Sequence, residues 1–483
     1  MHKFYTTVLL FDRFVLHPDT GVQAVKHNGL LCVTCTDMPT LAGSNMDATF
    51  SIYGCVLPKG KYCHELALRS VLGTIEMAAA RHKRTIIPLV SISVDFYIRL
   101  FVVVKDSAAS ALQSGLRFGH LWQCSACDSF AIQGVARLQP KGQRKRSRDQ
   151  DGTKEEGGSS VNKTHVAGNG DHVEPKYGRA YTNMYCNTTP GDRPDGKVVP
   201  ARGLPTELIS INSENEAECS QCSGSLQKGG PIWAAPIHDS EFVRAVLMEL
   251  ESGETAKRAQ PQLAASCVGH NHGQLKVSER IFHKQDQDAG SNDIETVETS
   301  RNRLTGIIRA IAMEAADIPL YYDVATLSGR IHCNSIPGKR LQNALINMGY
   351  RVSGTHAKST ALKTDAPPQV LWDIFREHEK EHPISEKHRS NPQSVAYGIL
   401  SKPIRCDISF TEPSKEARDS ARRLWDIPDK WTSPLVTEDS GIPSYRSFLE
   451  SSHGKARYID NPGCDWGPKS KAIGYAIENA KDA

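Results

Sequence analysis

The first 115 residues combine continuous apolar runs with one helical apolar pattern. The run GLLCVTC at residues 29–35 predicts a buried strand. The segment HELALRSVLGTIEMAAARHKR has apolar residues at Leu68, Val71, Leu72 and Ile75, which is the spacing of one helix face. The β-branched and aromatic stretch TIIPLVSISVDFYIRLFVVV is long enough for two strands or one bent strand. Strand, helix and strands in this order are typical of the closing part of an α/β sandwich.

The periodicity is lost in the region that follows. Residues 138–200 include QPKGQRKRSRDQDGTKEEGGSS, which is charged, rich in Gly and Ser, and without an apolar period. This composition predicts a disordered insertion within a connection at residues 116–250. A second loose stretch at residues 251–302 predicts a linker. The basic run from Lys141 to Arg148 is either a nuclear-import signal or solubilising charge.

Residues 303–380 return to a folded pattern. YYDVATLSGRI predicts a short helix, and KRLQNALINMGYRVSGTHA predicts a helix that stops at Gly349 and a following strand. Helix, short helix, helix and strand predict a winged-helix-like α+β domain, with the basic segment AKSTALK as its wing. Residues 381–483 are polar and Pro-rich and predict a tail with some helix. The first helix of the domain is indicated by an apolar stripe at Leu304, Ile307, Ile308, Ile311, Ala312 and Ala315.

Composition limits the class of protein. A chain of 483 residues is too long for one ordinary domain, so we expect two or more globular units. The 39% hydrophobic and 23% charged content fits a water-soluble chain, and no apolar run reaches the roughly 18 residues that span a bilayer. The net charge of +4 is compatible with an RNA partner but does not indicate one by itself. The 13 cysteines are better explained as metal ligands or free thiols than as disulfides.

Two cysteine pairs resemble each other. WQCSACDS and AECSQCSG place Cys124, Cys127, Cys219 and Cys222 in two Cys-Ser-x-Cys knuckles, which supply the four thiolates of a tetrahedral zinc site. About 90 residues separate the pairs, and the cost of closing such a loop grows only logarithmically. Four unrelated free cysteines, or a redox pair, are the alternatives, although no thioredoxin-like pattern surrounds either knuckle. The sequence therefore favours zinc.

Polar residues near two predicted strands are candidates for a ligand pocket. Asp37 follows GLLCVTC, where an α/β strand opens towards the ligand crevice, although a helix cap or turn explains it equally well. Ser91, Ser93 and Asp95 alternate with apolar residues and would share a face with Asp37, or form a polar solvent face. His64 and Glu65 begin the predicted helix, where a Glu is expected for the dipole, so the sequence assigns them no chemistry.

Two further cysteines have the same spacing but a different prediction. Cys32 and Cys35 lie within the predicted strand GLLCVTC. Residues three apart on a strand point to opposite faces, so these two thiols cannot converge on one ion. We expect them to belong to the core.

The order of several sequence blocks resembles a known family. GLLCVTCTDMPTLAG, YCHELALR, IIPLVSISVDFYIRLFV, GHLWQCSACDSF, GGPIWAAPIHD, IPLYYDVATLSGRIHCN, LKTDAP followed by WDI, and NPGCDWGPKSKA occur in this order. Together they resemble the eukaryotic tRNA (guanine(26)-N(2))-dimethyltransferases, which use S-adenosylmethionine. The resemblance implies a Rossmann-like methyltransferase sheet, a zinc-bound connection with four cysteine ligands, a C-terminal RNA-binding domain, and tRNA as the partner. We separately expect a monomer in the nucleus, with the mitochondrion and the cytoplasm as alternatives.

The same resemblance raises an expectation about the N-terminal region. Family members carry their cofactor-binding strands and an Asp-Pro-aromatic-Gly loop before GLLCVTC, and here FDRFVLHPDTGVQAV stands in that place. His17-Pro18 replaces Asp-Pro, so no catalytic carboxylate is identified, and the role is not transferred to Asp19. We therefore expect an N-terminally truncated methyltransferase sheet that leaves GLLCVTC as an unpaired apolar edge.

Two functions remain open on the sequence. One is S-adenosylmethionine-dependent N2,N2-dimethylation of guanosine 26 in tRNA; the other is a catalytically inactive, zinc-containing tRNA-binding protein. Binding of S-adenosylmethionine separates them. Residues of this kind are more often plain solvated charges than RNA contacts; the candidate contacts are Arg81, Lys83, Arg84, Arg340, Lys358 and Lys363.

Overall fold

A four-stranded sheet forms the first layer of the molecule. The computed structural model describes residues 6–10, 18–94, 97–139, 197–200, 204–252 and 292–423. The strands of this sheet are β1 (Thr6–Leu10), β2 (Gly29–Cys35), β3 (Arg84–Val94) and β4 (Tyr97–Asp106). Their order is β1-β2-β4-β3, with β1 parallel to β2 and β4 antiparallel to both of its neighbours. The carboxyl ends of β1, β2 and β3 therefore share one edge, which we call the carboxyl edge.

β2 is an interior strand. Thr6 to Leu10 pair with it on one side, and β4 pairs with it along its whole length on the other. The expectation of an unpaired edge at GLLCVTC is therefore wrong, because the short segment before it supplies a parallel neighbour. Leu31, Val33 and Cys35 are buried, so the apolar run is a core strand as its composition predicts. Cys35 belongs to that core, whereas Cys32 is partly exposed.

The helix predicted from its apolar stripe is α4 (Cys63–Arg81), and it covers one face of the sheet. Leu68, Val71, Leu72 and Ile75 are completely buried, which confirms the predicted helix face. Gly73 allows a close approach, since a Cβ there would lie 3.0 Å from the ring of Phe118. The stretch that follows forms β3 and β4 as an antiparallel pair, which is the two-strand alternative of the prediction.

Two helices close the opposite face of the sheet. α6 (Ser240–Ser252) and α7 (Asn292–Ala312) pack on β3 through a cluster that includes Leu89, Ile92 and Val243. The chain is therefore a mixed α/β protein, with this sheet between helical layers. The remaining N-terminal helices are α1 (Pro18–Ala24), α2 (Met38–Leu41), α3 (Met46–Tyr53) and α5 (Ala108–Leu112), with a 3₁₀ turn at Ser114–Arg117.

A second sheet carries the cysteine knuckles. Its strands are β5 (Phe118–Cys124), β6 (Phe130–Gly134) and β11 (Leu226–Trp233), in the order β11-β5-β6. Two antiparallel ribbons accompany it, β7 (Ala136–Gln139) with β8 (Lys197–Pro200), and β9 (Ile209–Ile211) with β10 (Ala217–Cys219). The β7–β8 ribbon pairs the two ends of the predicted insertion. The rest of that insertion, with its basic run, lies outside the described residues.

The C-terminal part contains a small sheet and three helices. β12 (Tyr322–Asp323), β14 (Lys358–Thr364) and β13 (Val352–Thr355) are adjacent in that order. The helices are α8 (Val324–Arg330), α9 (Gly338–Asn347) and α10 (Pro368–Glu381). Gly349 follows α9 with a φ of +80°, as expected of a helix stop. AKSTALK is not a wing loop, since most of it is the paired strand β14.

The segment after residue 381 is partly packed. It contains α11 (Glu386–Arg389), α12 (Val395–Leu400) and α13 (Lys415–Arg423). Ile384, Ala396 and Ile399 are buried in the main hydrophobic core, although the polar composition of this segment predicted a tail. Several apolar residues here face the core, whereas Tyr397 is exposed. Residues 424–483 lie outside the described part of the chain.

Candidate metal centre and sheet-edge site

The two cysteine knuckles meet in space. The Sγ atoms of Cys124 and Cys222 are 3.5 Å apart, those of Cys127 and Cys219 are 3.7 Å apart, and all four lie within 4.8 Å of one another. Sulfur atoms around a tetrahedral zinc ion are about 3.8 Å apart, given Zn–S bonds of about 2.3 Å. Four converging thiols can therefore hold one such ion without rearrangement of the chain.

The knuckles also share a backbone geometry. Asp128 and Ser223, which follow the second cysteine of each pair, both have left-handed backbone angles, with φ of 59° and 56°. Backbone N–H groups point at the sulfurs, from Cys127 to Cys124 and from Gln221 to Cys219, at 3.5 and 3.4 Å. These bonds stabilise thiolate charge.

Gly224 completes the pocket. A Cβ at this position would lie 3.0 Å from the Cys124 sulfur and 3.1 Å from the Cys222 sulfur. Sulfur atoms and a side chain therefore compete for the same space, and glycine is required there.

C-terminal residues enclose this cluster. The indole of Trp372 donates to the Ser129 hydroxyl at 2.7 Å, and the Cys127 thiol lies 3.1 Å from the same hydroxyl. Lys402 donates to the Ser220 carbonyl at 2.7 Å. Arg330 forms an ion pair with Asp128 at 2.7 Å. α12 approaches so closely that a Cβ on its glycine 398 would lie 3.0 Å from the carbonyl oxygen of Cys222. Sequence reasoning missed these contacts, because nothing in the spacing of the knuckles indicates their partners.

The carboxyl edge carries the predicted pocket residue Asp37. It occupies the N-cap position of α2 but makes no side-chain cap bond. Its carboxylate accepts from the Thr40 hydroxyl at 2.8 Å and from the Tyr53 hydroxyl at 3.4 Å. Burial, with additional contributions from Cys35 and Asp37, raises the pKa of Tyr53, so this hydroxyl keeps its proton and donates. The pocket role of Asp37 stays a prediction.

β3 is the outer strand of the sheet, and two histidines satisfy its free side. The backbone N–H of Ser91 donates to Nδ1 of His238 at 3.1 Å, and that of Ser93 donates to Nε2 of His356 at 3.2 Å. The Ser91 hydroxyl is buried and donates to the carbonyl of Ile237 at 2.7 Å. Asp95, the third candidate of this strand, lies outside the described residues. The histidines thus protect an edge that would otherwise present unpaired backbone groups.

A buried chain of charges extends from these histidines. His356 Nδ1 lies 2.7 Å from a Glu314 oxygen, and the other Glu314 oxygen lies 2.7 Å from the Lys363 ammonium. Lys363 also contacts Glu65 at 2.9 Å, and Glu65 pairs with Arg69 at 2.8 Å. Burial raises the pKa of Glu314, but Lys363 and His356 outweigh it and hold that pKa well below its ordinary value. The network therefore contains ionised groups in matched pairs.

The prediction that Lys363 contacts RNA is corrected by this network. Its side chain is completely buried, so it reaches no phosphate on the surface. The face of β14 that carries Lys363 is turned towards α4, and the Lys363 ammonium pairs with the two buried carboxylates.

His238, Glu314 and His356 also have the spacing of metal ligands, with donor atoms within 4.8 Å of one another. The ammonium of Lys363 already occupies the position of a cation beside Glu314. A divalent ion would add uncompensated charge to a buried site in which two carboxylates face one Lys and one Arg. We therefore interpret this trio as part of the charge network.

The other candidate RNA contacts are on the surface or half-buried, and most already have partners. Arg81 pairs with Asp19 at 2.8 Å. Arg84 donates to the carbonyls of Val22 and Val25 and pairs with Asp106. Lys83 is exposed, with a φ of 59°.

Two candidates lie in the C-terminal unit. Arg340 pairs with Glu381 and lies over the Phe410 ring, 3.9 Å from its centroid, and Lys358 pairs with Asp323 at 2.6 Å. Contact of these two residues with RNA stays a prediction.

The segment that replaces the family's catalytic loop begins outside the described residues, which resume at Pro18. Asp19 is exposed on α1 and accepts from Arg81 and His82. The side-chain hydrogen bond from Arg81 is the main reason why its pKa lies below the ordinary value. Asp19 therefore acts as a surface ion-pair partner. Across the described helices, none is both long and apolar enough to span a bilayer.

Comparisons with known proteins find the same family that the ordered sequence blocks resemble. A family model for N2,N2-dimethylguanosine tRNA methyltransferase matches residues 13–267 and 273–376. The tRNA (guanine(26)-N(2))-dimethyltransferase of Homo sapiens is 32% identical over 454 residues, which are 94% of this chain and 49% of that protein. The Schizosaccharomyces pombe enzyme of the same name is 29% identical over 98% of this chain and 63% of its own length.

A further relative and one solved structure extend these comparisons. The tRNA (guanine(26)-N(2))-dimethyltransferase 1 of Arabidopsis thaliana is 30% identical over 94% of this chain and 54% of its own length. A structure of Trm1 from Pyrococcus horikoshii with S-adenosyl-L-methionine is similar over 76% of this chain and 65% of that chain, at 19% identity and a TM-score of 0.45. The chain thus spans about half the length of the curated relatives it matches. On the family match, the chain belongs to the N2,N2-dimethylguanosine tRNA methyltransferase family.

Proposed function

We propose that this chain acts in the S-adenosylmethionine-dependent conversion of guanosine 26 of tRNA to N2,N2-dimethylguanosine. The family match across residues 13–267 and 273–376 carries the proposal. The names of the relatives from Homo sapiens, Schizosaccharomyces pombe and Arabidopsis thaliana support position 26 as the target. Since the chain spans about half of those proteins, its own activity is part of the proposal.

We place the chemistry at the carboxyl edge of a Rossmann-like sheet. The parallel pair β1 and β2, joined through α1, and the crossover through α4 to β3 support this assignment. Open α/β sheets bind ligands beyond the carboxyl ends of their strands. Cys35 and Ser93 both pair with Ile98 at the start of β4, and Asp37 follows Cys35 by two residues, so Asp37 and Ser93 come from the strands on either side of β4. This position suits a pocket for a base or a cofactor.

The reaction explains what such a site must provide. S-adenosylmethionine supplies the methyl group from a sulfonium. The exocyclic amine of guanine is a weak nucleophile because its lone pair is delocalised into the ring, so the protein must hold it in line and exclude water. It must also accept hydrogen bonds from the amine, and the base must first leave the RNA stack. Polar acceptors at the carboxyl edge are therefore the groups to test.

We propose that the four-cysteine cluster holds a structural zinc ion. The matched knuckles, the sulfur spacing and the backbone N–H groups aimed at sulfur support this. Four protein ligands leave no open position for a substrate, which favours a structural role over a catalytic one. The ion would brace β5 and β10 and, through Trp372, α10.

We propose that the C-terminal unit is winged-helix-like and grips tRNA by shape and phosphate. The order of α7, α8, α9 and β13 supports this, although the wing is a short turn rather than a basic loop. Arg340, Lys358, Arg81 and Lys83 remain the candidate contacts. A monomer in the nucleus is the accompanying proposal, to be checked by sedimentation and by imaging of a tagged chain.

Transfer of tritium from labelled S-adenosylmethionine tests the function. The 483-residue chain, and in parallel the complete open reading frame of its gene, are incubated with undermethylated tRNA and with the same tRNA carrying adenosine at position 26. We expect label in the first tRNA only, recovered as N2-methylated guanosine. Label at another position, or none with either protein, would overturn the proposal. Tight tRNA binding without S-adenosylmethionine binding would favour the inactive tRNA-binding alternative.

A further inference from the structure

One polar atom at the carboxyl edge is left without a partner by the network that surrounds it. His64, in the first turn of α4, lies with its Nδ1 3.4 Å from the Ser93 hydroxyl. Within the described part of the chain its Nε2 makes no hydrogen bond, and the residue is half-buried, so this atom is open to a ligand. Asp37, at the same edge, already accepts from Thr40 and Tyr53.

A chain of buried residues supports the position of His64. Ser93, its contact, is itself held through its backbone N–H by His356. His356 is held by Glu314, both through its ring and through its own backbone N–H at 2.9 Å. Glu314 is fixed by Lys363. A half-buried histidine without a binding role would not require buried support of this kind, whereas preorganised site residues do.

The charge state of His64 also fits contact with a neutral base. Burial, Lys358 and then His356 lower the pKa of His64, so its imidazole is neutral at neutral pH. The groups that face it are the Lys358 ammonium, the His356 ring and the Ser93 hydroxyl, and Lys358 is itself neutralised by Asp323. The guanine edge that bears the exocyclic amine presents N–H donors, for which a neutral imidazole nitrogen is an acceptor.

We infer that His64 is a further substrate-contacting residue, whose Nε2 accepts a hydrogen bond from the guanine base and whose Nδ1 is positioned by Ser93. This inference rests on the proposed function. The start of α4 then helps to hold the target base. The helical pattern of the sequence gives no indication of this role.

Three substitutions at one position separate this role from a structural one. Glutamine places an amide where Nε2 lies, and asparagine places one where Nδ1 lies. If His64 contacts the base, H64Q retains methyl transfer, whereas H64N and H64A lower kcat/KM on the order of tenfold through loss of one hydrogen bond. If His64 only supports Ser93, H64N retains activity and H64Q loses it, which overturns the inference.

A pH profile gives a second readout. Wild-type transfer should decline in acid as the imidazole binds a proton, at a pH below the ordinary histidine value because the pKa of His64 is lowered, and H64Q should lack this decline. Far-ultraviolet circular dichroism confirms that the variants fold. If H64A has the same activity and the same pH profile as the wild type, this inference alone is overturned. Absence of both tRNA binding and transfer by the wild-type chain and by the complete open reading frame would overturn the proposed function and, with it, this inference.

Discussion

At the residue scale, the most consequential feature is a lysine placed in the interior. Lys363 neutralises Glu65 and Glu314, which come from different parts of the chain, and all three side chains are completely buried. Buried ion pairs contribute little net stability compared with apolar groups, but they specify one arrangement because the charges cannot be left alone. The lysine therefore fixes β14 against α4 and against the end of α7.

Replacement of this lysine should be strongly destabilising. We expect K363M to lower the free energy of unfolding by about 3–5 kcal/mol, since two carboxylates would lose their shared partner. Urea denaturation followed by circular dichroism measures the change. The double variant K363M/E314Q should recover part of the loss, because one unpaired charge is then removed. Equal stability of K363M and the wild type would show that the carboxylates do not depend on the ammonium.

His238 predicts how the fold responds to acid. Burial, only partly opposed by Glu314, holds the pKa of His238 well below its ordinary value, with His356, Lys363 and Arg69 also contributing. The unfolded chain binds a proton near pH ~6.5 and the folded one does not, so stability is full above that pH and falls below it. We expect a slope of up to about 1.4 kcal/mol per pH unit between about pH 6.5 and 5 from this group.

The variant H238N isolates this effect. Its side-chain oxygen can still accept from the N–H of Ser91, but it does not titrate. We expect a weaker dependence of the urea midpoint on pH for H238N than for the wild type in that window. An identical pH dependence in the two proteins would contradict the assignment of His238 as a buried neutral group.

At the element scale, the two knuckles show how local geometry forms a ligand set. Each ends in a residue with left-handed backbone angles, Asp128 or Ser223. Within each knuckle a backbone N–H group also lies at hydrogen-bond distance from the first sulfur. Gly224 leaves room for two sulfurs. The geometry of each knuckle is thus set within a short local segment. The second sheet, in contrast, brings the two knuckles together.

Substitution of this glycine should weaken the proposed metal site. In G224A the new methyl group would lie 3.0–3.1 Å from two sulfurs, so the knuckles must separate. We expect less zinc per chain by atomic absorption after dialysis, and a lower unfolding temperature. G338A is the matched control, because a Cβ there meets nothing within 4 Å. Equal zinc content in G224A and G338A would contradict this account of the pocket.

At the scale of the whole molecule, the cysteine cluster is where distant segments of the chain meet. Lys402 and Trp372 bond to the knuckles, and α12 lies on Cys222. The carboxyl edge is similarly closed by residues from the C-terminal part, since His356 satisfies β3. The C-terminal unit therefore contacts the four-stranded sheet through a polar junction and the cysteine knuckles through a second junction centred on sulfur.

Removal of the proposed metal should loosen the junction centred on sulfur. We expect a zinc chelator to increase hydrogen exchange in residues 395–402 and 219–224, because thiolates without a cation repel one another. β3 and β4 should keep their protection, since no cysteine ligand lies in that sheet. Loss of protection across the whole chain would indicate that the ion supports the entire fold rather than this junction. Unchanged exchange would argue against a bound metal.

Local pattern in the sequence determined much of this protein. The face of α4, the extended stretch that forms β3 and β4, the stop at Gly349 and the four metal-ligand candidates follow from periods and spacings within a few residues, where backbone geometry alone sets the pattern. Only the tertiary structure decided that β2 is interior, that Lys363 is buried and that residues 382–402 are packed. It also decided that Nε2 of His64 has no hydrogen-bond partner among the described residues. Each of these depends on which segments meet after folding, and partners far apart in the chain leave no periodic signal in either segment.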